Sequence, residues 1–227
     1  MFLSVIIPAI NEEECIAAAV NNARRARNVE VLVADGGSKD ATVPVAREAG
    51  AKVLVTRTGR AFQMNEGAEA ASGDALLFLH ADTRLPSGYE AHVRRILDRP
   101  GVAAGAFRLG IRASGVSLRL VELVANLRSR CLQLPYGDQA IFVGRRRFQI
   151  VGGFPELPIM EDFALMKRLS KLGRVALAPV AVSTSGRRWV RMGVWRTTWI
   201  NQMMVAAYVL GVPPERIQHW YRRDRGI

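Results

Sequence analysis

Cysteine is scarce in this 227-residue chain, Cys15 and Cys131 being the two present. Two isolated thiols cannot build a disulfide framework or supply the ligand spacing of a zinc site. Both fall on apolar positions of expected helices, where buried free thiols are anticipated. Aromatic residues are only 7% of the chain. With no RNA-binding signature among them, a stacking platform for nucleic acid is not expected. Long apolar runs are missing as well. "MMVAAYVLGV", near the C-terminus, is too short to cross a bilayer. "MFLSVIIPAINEEE" carries neither the basic stretch nor the cleavage site of a signal peptide, so a cytoplasmic protein is expected. The G-x-G-x-x-G fingerprint and the G-x-x-x-x-G-K-[ST] loop are both absent, as is the Gly-rich loop plus Lys of a nucleotidyltransferase.

Lysine is nearly absent too: Lys39, Lys52, Lys167 and Lys171 stand among 32 basic residues, against 20 acids. The resulting formal charge of +12 favours anionic partners such as nucleotide diphosphates or an anionic membrane surface, although a GC-rich genome would also favour Arg over Lys. Apolar residues make up 49%, with turn residues spread throughout and no repeat or low-complexity linker. One globular domain over residues 1–227 is expected.

The first half alternates short apolar strands with helical patterns. "LSVIIPA" reads as a strand stopped by Pro8, after which Asn11 is placed as cap of a helix bearing Cys15, Ile16, Ala19, Val20 and Ala23 on one face. "VEVLVADGGSKDAT" repeats the plan, and Asp40 is placed as a local cap. "AKVLVT" and "DALLFLHAD" read as strands flanking the helix "GRAFQMNEGAEAAS". Such alternation predicts βαβ units and a mostly parallel sheet covered on both faces, an α/β fold. Ligands of such sheets sit beyond the carboxyl ends of the strands. Pro8–Asn11, Asp35–Ser38 and His80–Asp82 are thereby predicted to share one edge. Further on, "GVAAGAFRLGI", "QAIFVGR" and "RVALAPVAV" read as strands. "SLRLVELVANLRSRCL" and "MEDFALMKRLSKLG" read as amphipathic helices, and a basic Trp-bearing segment leads into further helices.

The ordered series "IPAINEE", "VADGGSKDAT", "GRAFQMNEGAEAASGD", "FLHADT", "GDQ", "GGFPE…MEDF" and "GRRW" resembles the family-2 glycosyltransferases of GT-A fold, over most of residues 3–190. It is most similar to a compact soluble subgroup associated with radical-SAM and selenium-related genes. The resemblance implies a nucleotide-binding half over about 1–85, an acceptor and catalytic half over about 86–190, and a C-terminal helical segment over about 191–227. It implies transfer of a sugar, with inversion, from a nucleotide-diphosphate sugar, UDP first and GDP next, to an acceptor that is a small molecule or lipid-linked.

By that resemblance, Pro8, Asn11 and Glu12 meet the nucleoside, Asp35 the edge of the base, and Arg60 and Asn65 the nucleotide. Ala81 and Asp138 are assigned to the donor, with ordering of the loop as a second role for Asp138. Arg187, Arg188 and Trp189 are assigned to the diphosphate and the sugar, since Arg grips phosphate through two parallel bonds and Trp walls a sugar. Asp82 is the expected ligand of a divalent cation, Mg²⁺ or Mn²⁺, on the diphosphate. His80 replaces the family's usual first acid; a second ligand, a nucleotide contact and a packed strand residue all stay open, with packing favoured. Asp162 is the candidate general base, with its neighbour Glu161 the alternative. For "WVRMGVWRTTWINQMMVAAYVLGV" two roles are open: a homodimer contact, or peripheral contact with an anionic membrane at its inner face.

Overall fold

The computed structural model describes residues 1–225. Its centre is a seven-stranded sheet built from β1 (Leu3–Ala9), β2 (Val29–Asp35), β3 (Lys52–Val55), β4 (Ala75–Phe78), β5 (Val102–Arg108), β7 (Phe142–Gly144) and β8 (Arg174–Ala181). The strand order is β3-β2-β1-β4-β7-β5-β8. All neighbours are parallel except at β7, which runs antiparallel to both β4 and β5. A small second sheet pairs β6 (Ile111–Arg112) with β9 (Thr184–Ser185).

Burial on both faces explains the continuous apolar runs. In β1, Val5 and Ile7 join one core layer and Ile6 the other. In β4, Leu77 joins the first layer and Leu76 and Phe78 the second. The first layer is closed by α1 (Glu13–Ala23), α2 (Thr42–Glu48) and α4 (Tyr89–Leu97), through Ile16, Val20, Ala46, Val93 and Ile96. The second is closed by α3 (Arg60–Ala70), α6 (Arg145–Ile150) and α7 (Glu161–Leu169), through Met64, Phe148, Leu165 and Met166. A tight trio of Phe78, Phe148 and Phe154 seals it, with Phe78 edge-on to Phe154 at 4.7 Å.

The sheet order reverses at β1, with β2 on one side and β4 on the other. At such a switch point the following loops diverge and open a crevice. Pro8 and the segment His80–Asp82 line it. β4 ends at Phe78, so His80 and Asp82 lie beyond the strand, and His80 lines the crevice instead of packing within the sheet.

α5 (Val116–Cys131), a short 3-10 turn (Gly137–Gln139), α8 (Arg187–Met192), α9 (Val194–Val209) and α10 (Pro214–Arg225) complete the chain. The stretch read as one strand, "QAIFVGR", is a turn, a three-residue strand and the start of α6. The expectation of two buried thiols fails: Cys15 is half-buried and Cys131 is exposed. No helix among the described residues is long and apolar enough to cross a membrane.

Candidate active site

A cleft of about 830 Å³ opens beyond the carboxyl ends of β1 and β4. Its floor carries Pro8, His80, Ala81 and Asp82, and its walls Glu12, Arg60, Asp138, Glu161, Asp162, Arg187, Arg188 and Trp189. Two loops from the second half close it. The 3-10 turn brings in Gly137 and Asp138, while Met160, in the left-handed region at φ 70°, turns the chain sharply into α7. That turn presents Glu161 and Asp162 at the N-terminus of α7, where acidic side chains complement the exposed N–H groups.

Asp162 is held from two sides. Its Oδ2 accepts the Gly137 N–H at 2.7 Å and its Oδ1 the Phe163 N–H at 2.6 Å. Glycine eases this approach: a Cβ at 137 would lie 3.0 Å from His80 Nε2 and 3.3 Å from Asp162 Oδ2, so either side chain would have to shift slightly. Glu161 is buried, with Oε1 3.5 Å from the Arg60 guanidinium. Burial raises its carboxyl above the ordinary range, Arg60 opposes and Asp162 adds. Burial, with Arg60 nearby, pushes the His80 imidazole down to about 3. His80 is therefore a neutral ring at any physiological pH, not a substitute negative charge.

Acids crowd the cleft. Burial raises Glu12, and the Asp82 charge adds to it, while Arg187 opposes at 3.6 Å. Burial pushes Asp138 up to about 6, with Asp162 and Asp82 adding and Arg128 opposing. Asp138 Oδ1 is buried without a hydrogen-bond partner. Asp82 Oδ1 lies 3.2 Å from Thr83 Oγ1 and 3.5 Å from Thr184 Oγ1, and its carbonyl accepts from Arg112 at 2.9 Å. No cluster of three or more His, Cys, Asp or Glu among the described residues would enclose a metal by itself. A hard cation that shares its shell with phosphate oxygens and water needs only one or two carboxylates. Asp82, in a cleft with surplus acids, fits that requirement.

The family model for Glycosyl transferase family 2 matches residues 4–150. This chain belongs to that family. The match takes in every strand around the switch point and stops short of α7. Curated relatives of the family-2 chain include a 4,4'-diaponeurosporenoate glycosyltransferase from Staphylococcus haemolyticus, 36% identical over 92 residues, 37% of this chain and 24% of that protein. Glycosyltransferase AglE from Haloferax volcanii is 36% identical over 92 residues, 36% of this chain and 30% of that protein. The chain thus spans less than a third of either relative. Among solved structures, a mannosyltransferase from Pyrobaculum calidifontis in complex with GDP-Man and Mn²⁺ superposes with a TM-score of 0.67 at 20% identity, covering 96% of this chain and 68% of that one. TarS of S. aureus in complex with UDP-GlcNAc gives 0.66 at 18%, covering 82% and 58%. At these identities the likeness establishes the shared fold.

Around this family-2 cleft several of the expected residues make contacts within the protein. Asp35 is buried, and its carboxylate accepts the N–H groups of Gly37 and Ser38, each at 3.0 Å, and the Ser38 hydroxyl. It shapes its own turn and does not face the cleft. Asn11 is not the cap of α1, since Glu12 occupies that position. Asn11 sits at φ 53° and ties two loops together, donating its N–H to Ser38 Oγ and accepting the Lys39 N–H, both at 2.9 Å. Asn65 clamps the Gly153–Phe154 loop through both backbone groups of Phe154, at 2.8 and 2.9 Å. All three build loops around the cleft, and none of them is among the residues that line it. Arg188 lines the cleft but engages Tyr221 Oη at 2.5 Å and Asn201 Oδ1 at 3.1 Å. Trp189 lines it too, packed against the small cluster of Leu109, Ile111 and Leu118. Asp40 acts locally, accepting the Thr42 N–H at 3.0 Å, but stands one residue before Ala41, which occupies the cap position of α2.

Residues absent from the sequence reading also reach the cleft: Tyr136, Met160, Arg191, Asn201, Met204 and Val205. Tyr136 lies beneath the Arg128 guanidinium, 3.4 Å from ring centroid to carbon. Its place beside "GDQ" was a usable signal. The α9 residues carried none, because helical periodicity does not say which face meets a distant loop.

Proposed function

We propose that this chain is an inverting glycosyltransferase that takes a sugar from a nucleotide-diphosphate sugar, UDP first and GDP next. The observation that carries the reading is the pairing of Asp82 and Asp162 across one cleft at the sheet's switch point. Arg60 and Arg187 add positive charge to its walls. The complexes of fold neighbours with UDP-GlcNAc and with GDP-Man and Mn²⁺ support the donor class.

Asp162 is the general base. An acceptor hydroxyl attacks the anomeric carbon, its proton passes to an Asp162 oxygen, and the bond from that carbon to the phosphate oxygen breaks. The electron pair leaves with the diphosphate, and attack from the opposite face inverts the centre. Glu161 is the poorer base because it is buried against Arg60. Its ion pair keeps Arg60 at the cleft wall. Asp138, with an unpartnered oxygen, accepts a sugar hydroxyl. Arg187 grips the diphosphate after exchanging its long contacts to Glu12 and Glu14, both 3.6 Å. Asp82, with His80 as a neutral neighbour, would hold Mg²⁺ or Mn²⁺, whose charge would stabilise the leaving diphosphate. The acceptor is a hydroxyl compound, small or lipid-linked.

Thermal unfolding with UDP, GDP, CMP, dTDP or ADP, each with and without Mn²⁺, tests this on wild type and Asp82→Ala. One nucleotide at about 100 times its Kd should stabilise the wild type by about 2.7 kcal/mol, dependent on Mn²⁺ and on Asp82. Metal-independent binding would move the diphosphate to the arginines, and no binding by any nucleotide would sink the reading. His80 in place of an acid favours one second reading, a nucleotide-binding protein without turnover; measured sugar transfer dismisses it.

A further inference from the structure

α5 is apolar on two sides. Its inward face mixes Leu118, Val121 and Ala125 with polar side chains: Asn126 accepts the Leu109 N–H at 2.7 Å and donates to the Leu109 carbonyl at 3.1 Å. Glu122 accepts the Ile111 N–H, and Ser129 Oγ meets Gln139 Oε1 at 2.7 Å. These bonds satisfy the backbone that leaves β5, a need that apolar side chains could not meet. The outward face carries Val116, Leu120, Leu123 and Leu127, a helical stripe spaced four, three and four residues apart. Leu123 is 62% exposed and Leu127 58%. An amphipathic helix normally turns such a stripe to the core.

α9 packs beside α5, with Val194 in the same small cluster as Leu118 and Val121. It repeats the arrangement. Asn201, Met204 and Val205 face the cleft, while Trp195, Trp199, Met203 and Leu210 form an outward stripe. Trp195 is 63% exposed and Trp199 68%. Two adjacent helices with uncovered apolar stripes exceed the scattered exposure usual on a monomer.

We infer that the outward faces of α5 and α9 form a docking surface for an anionic lipid bilayer. Charge selects this occupant. Arg187, Arg188 and Arg191 of α8 line the cleft, whereas α9 carries the exposed Arg196 and no acid. α5 adds the exposed Arg130, while Arg119 is paired with Glu122, the one acid of the helix, and Arg128 lies over Tyr136. A second copy of the chain would set Arg130 and Arg196 against like charges, since α9 has no acid and the one acid of α5 is paired with Arg119. Anionic headgroups supply that complement, and Trp and Leu stripes bordered by Arg suit the depth of the lipid interface. The surface goes beyond the transferase reading and does not depend on it. If the cleft transfers sugar, the opposite face of α9 brings its acceptor end to the bilayer and favours a lipid-borne hydroxyl.

The test is flotation of the full chain with phosphatidylcholine vesicles and with vesicles containing phosphatidylglycerol, beside light scattering. The variants are Trp195→Ser/Trp199→Ser and Leu123→Gln/Leu127→Gln, all at exposed positions outside the cleft. Flotation with the anionic vesicles only, weakened at least tenfold by each double variant, is expected. Their unchanged thermal midpoints would show that folding is intact. No flotation, or flotation indifferent to both variants, overturns the surface. A dimer in solution that either variant splits overturns it in favour of a second copy. Nucleotide binding is read separately, so failure of the cleft assignment leaves this result standing.

Discussion

Asp138 is the residue whose surroundings most constrain its behaviour. Burial holds its carboxyl near 6 against an ordinary 3.8, so the folded state binds a proton that the unfolded chain releases. Ionised Asp138 is therefore a liability: its cost is absent below about pH 4, grows as pH rises towards 6, and is complete above. Two units correspond to about 3 kcal/mol. Asp138→Asn should therefore be more stable than wild type at pH 7.5 by up to that amount, and equal to it near pH 4. Urea unfolding at the two pH values checks this, and an equal midpoint at both would contradict the assigned burial. The carboxylates also show how far residue-level reading reaches. Asp82, Asp138 and Asp162 were legible as cleft residues because each follows or opens an element at the sheet edge. Asp35 and Asn65 were legible as motif members but not as loop builders. Whether a carboxylate or an amide is free depends on backbone groups that the sequence does not position, such as the N–H groups of Gly37 and Ser38.

At the scale of elements, the βαβ half was readable because burial on both sheet faces writes itself as continuous apolar runs. The second half was less so, for three physical reasons. β7 is only three residues long, too short for a periodic signal. α6 begins directly where β7 ends, with Arg145 donating to the carbonyls of Gly73, Ala68 and Ala71 at 2.7, 3.0 and 2.7 Å. α5 shows periodicity without revealing that Glu122, Asn126 and Ser129 face in beside Leu118. Packing between elements also explains one motif glycine. Gly67 lies mid-way along α3, and a Cβ there would stand 2.6 Å from Ile6 Cγ2 in β1. Helix propensity alone would favour Ala by about 1 kcal/mol. Ile6 is fully buried and cannot yield, and overpacking of such a core costs about 1–3 kcal/mol. Gly67→Ala is expected to lose stability by about 1–2 kcal/mol on balance in urea unfolding. A variant as stable as wild type would mean that α3 can slide on the sheet.

The whole molecule carries 32 basic and 20 acidic residues, and this imbalance makes its own prediction. Arg57, Arg60, Arg119 and Arg187 pair with carboxylates, and apart from Glu161 and Glu122 those partners are substantially exposed. Exposed pairs contribute about 0–1 kcal/mol each and are screened by salt. Self-repulsion of the +12 charge acts over longer distances and is screened by the same salt, since the Debye length falls from about 20 Å near 20 mM to below 10 Å at 200 mM. The two effects oppose one another. With this much excess charge, the relief of repulsion should win, and raising NaCl from about 20 to 200 mM should lift the thermal midpoint by a few degrees. Sodium sulfate at equal ionic strength separates general screening from site binding. If the arginines at the cleft wall hold an anion, sulfate will raise the midpoint further than chloride, and Arg187→Gln will remove that excess while leaving the chloride effect in place. A midpoint that falls with NaCl would instead show that the ion pairs around Glu12, Glu161 and Arg187 outweigh the global repulsion.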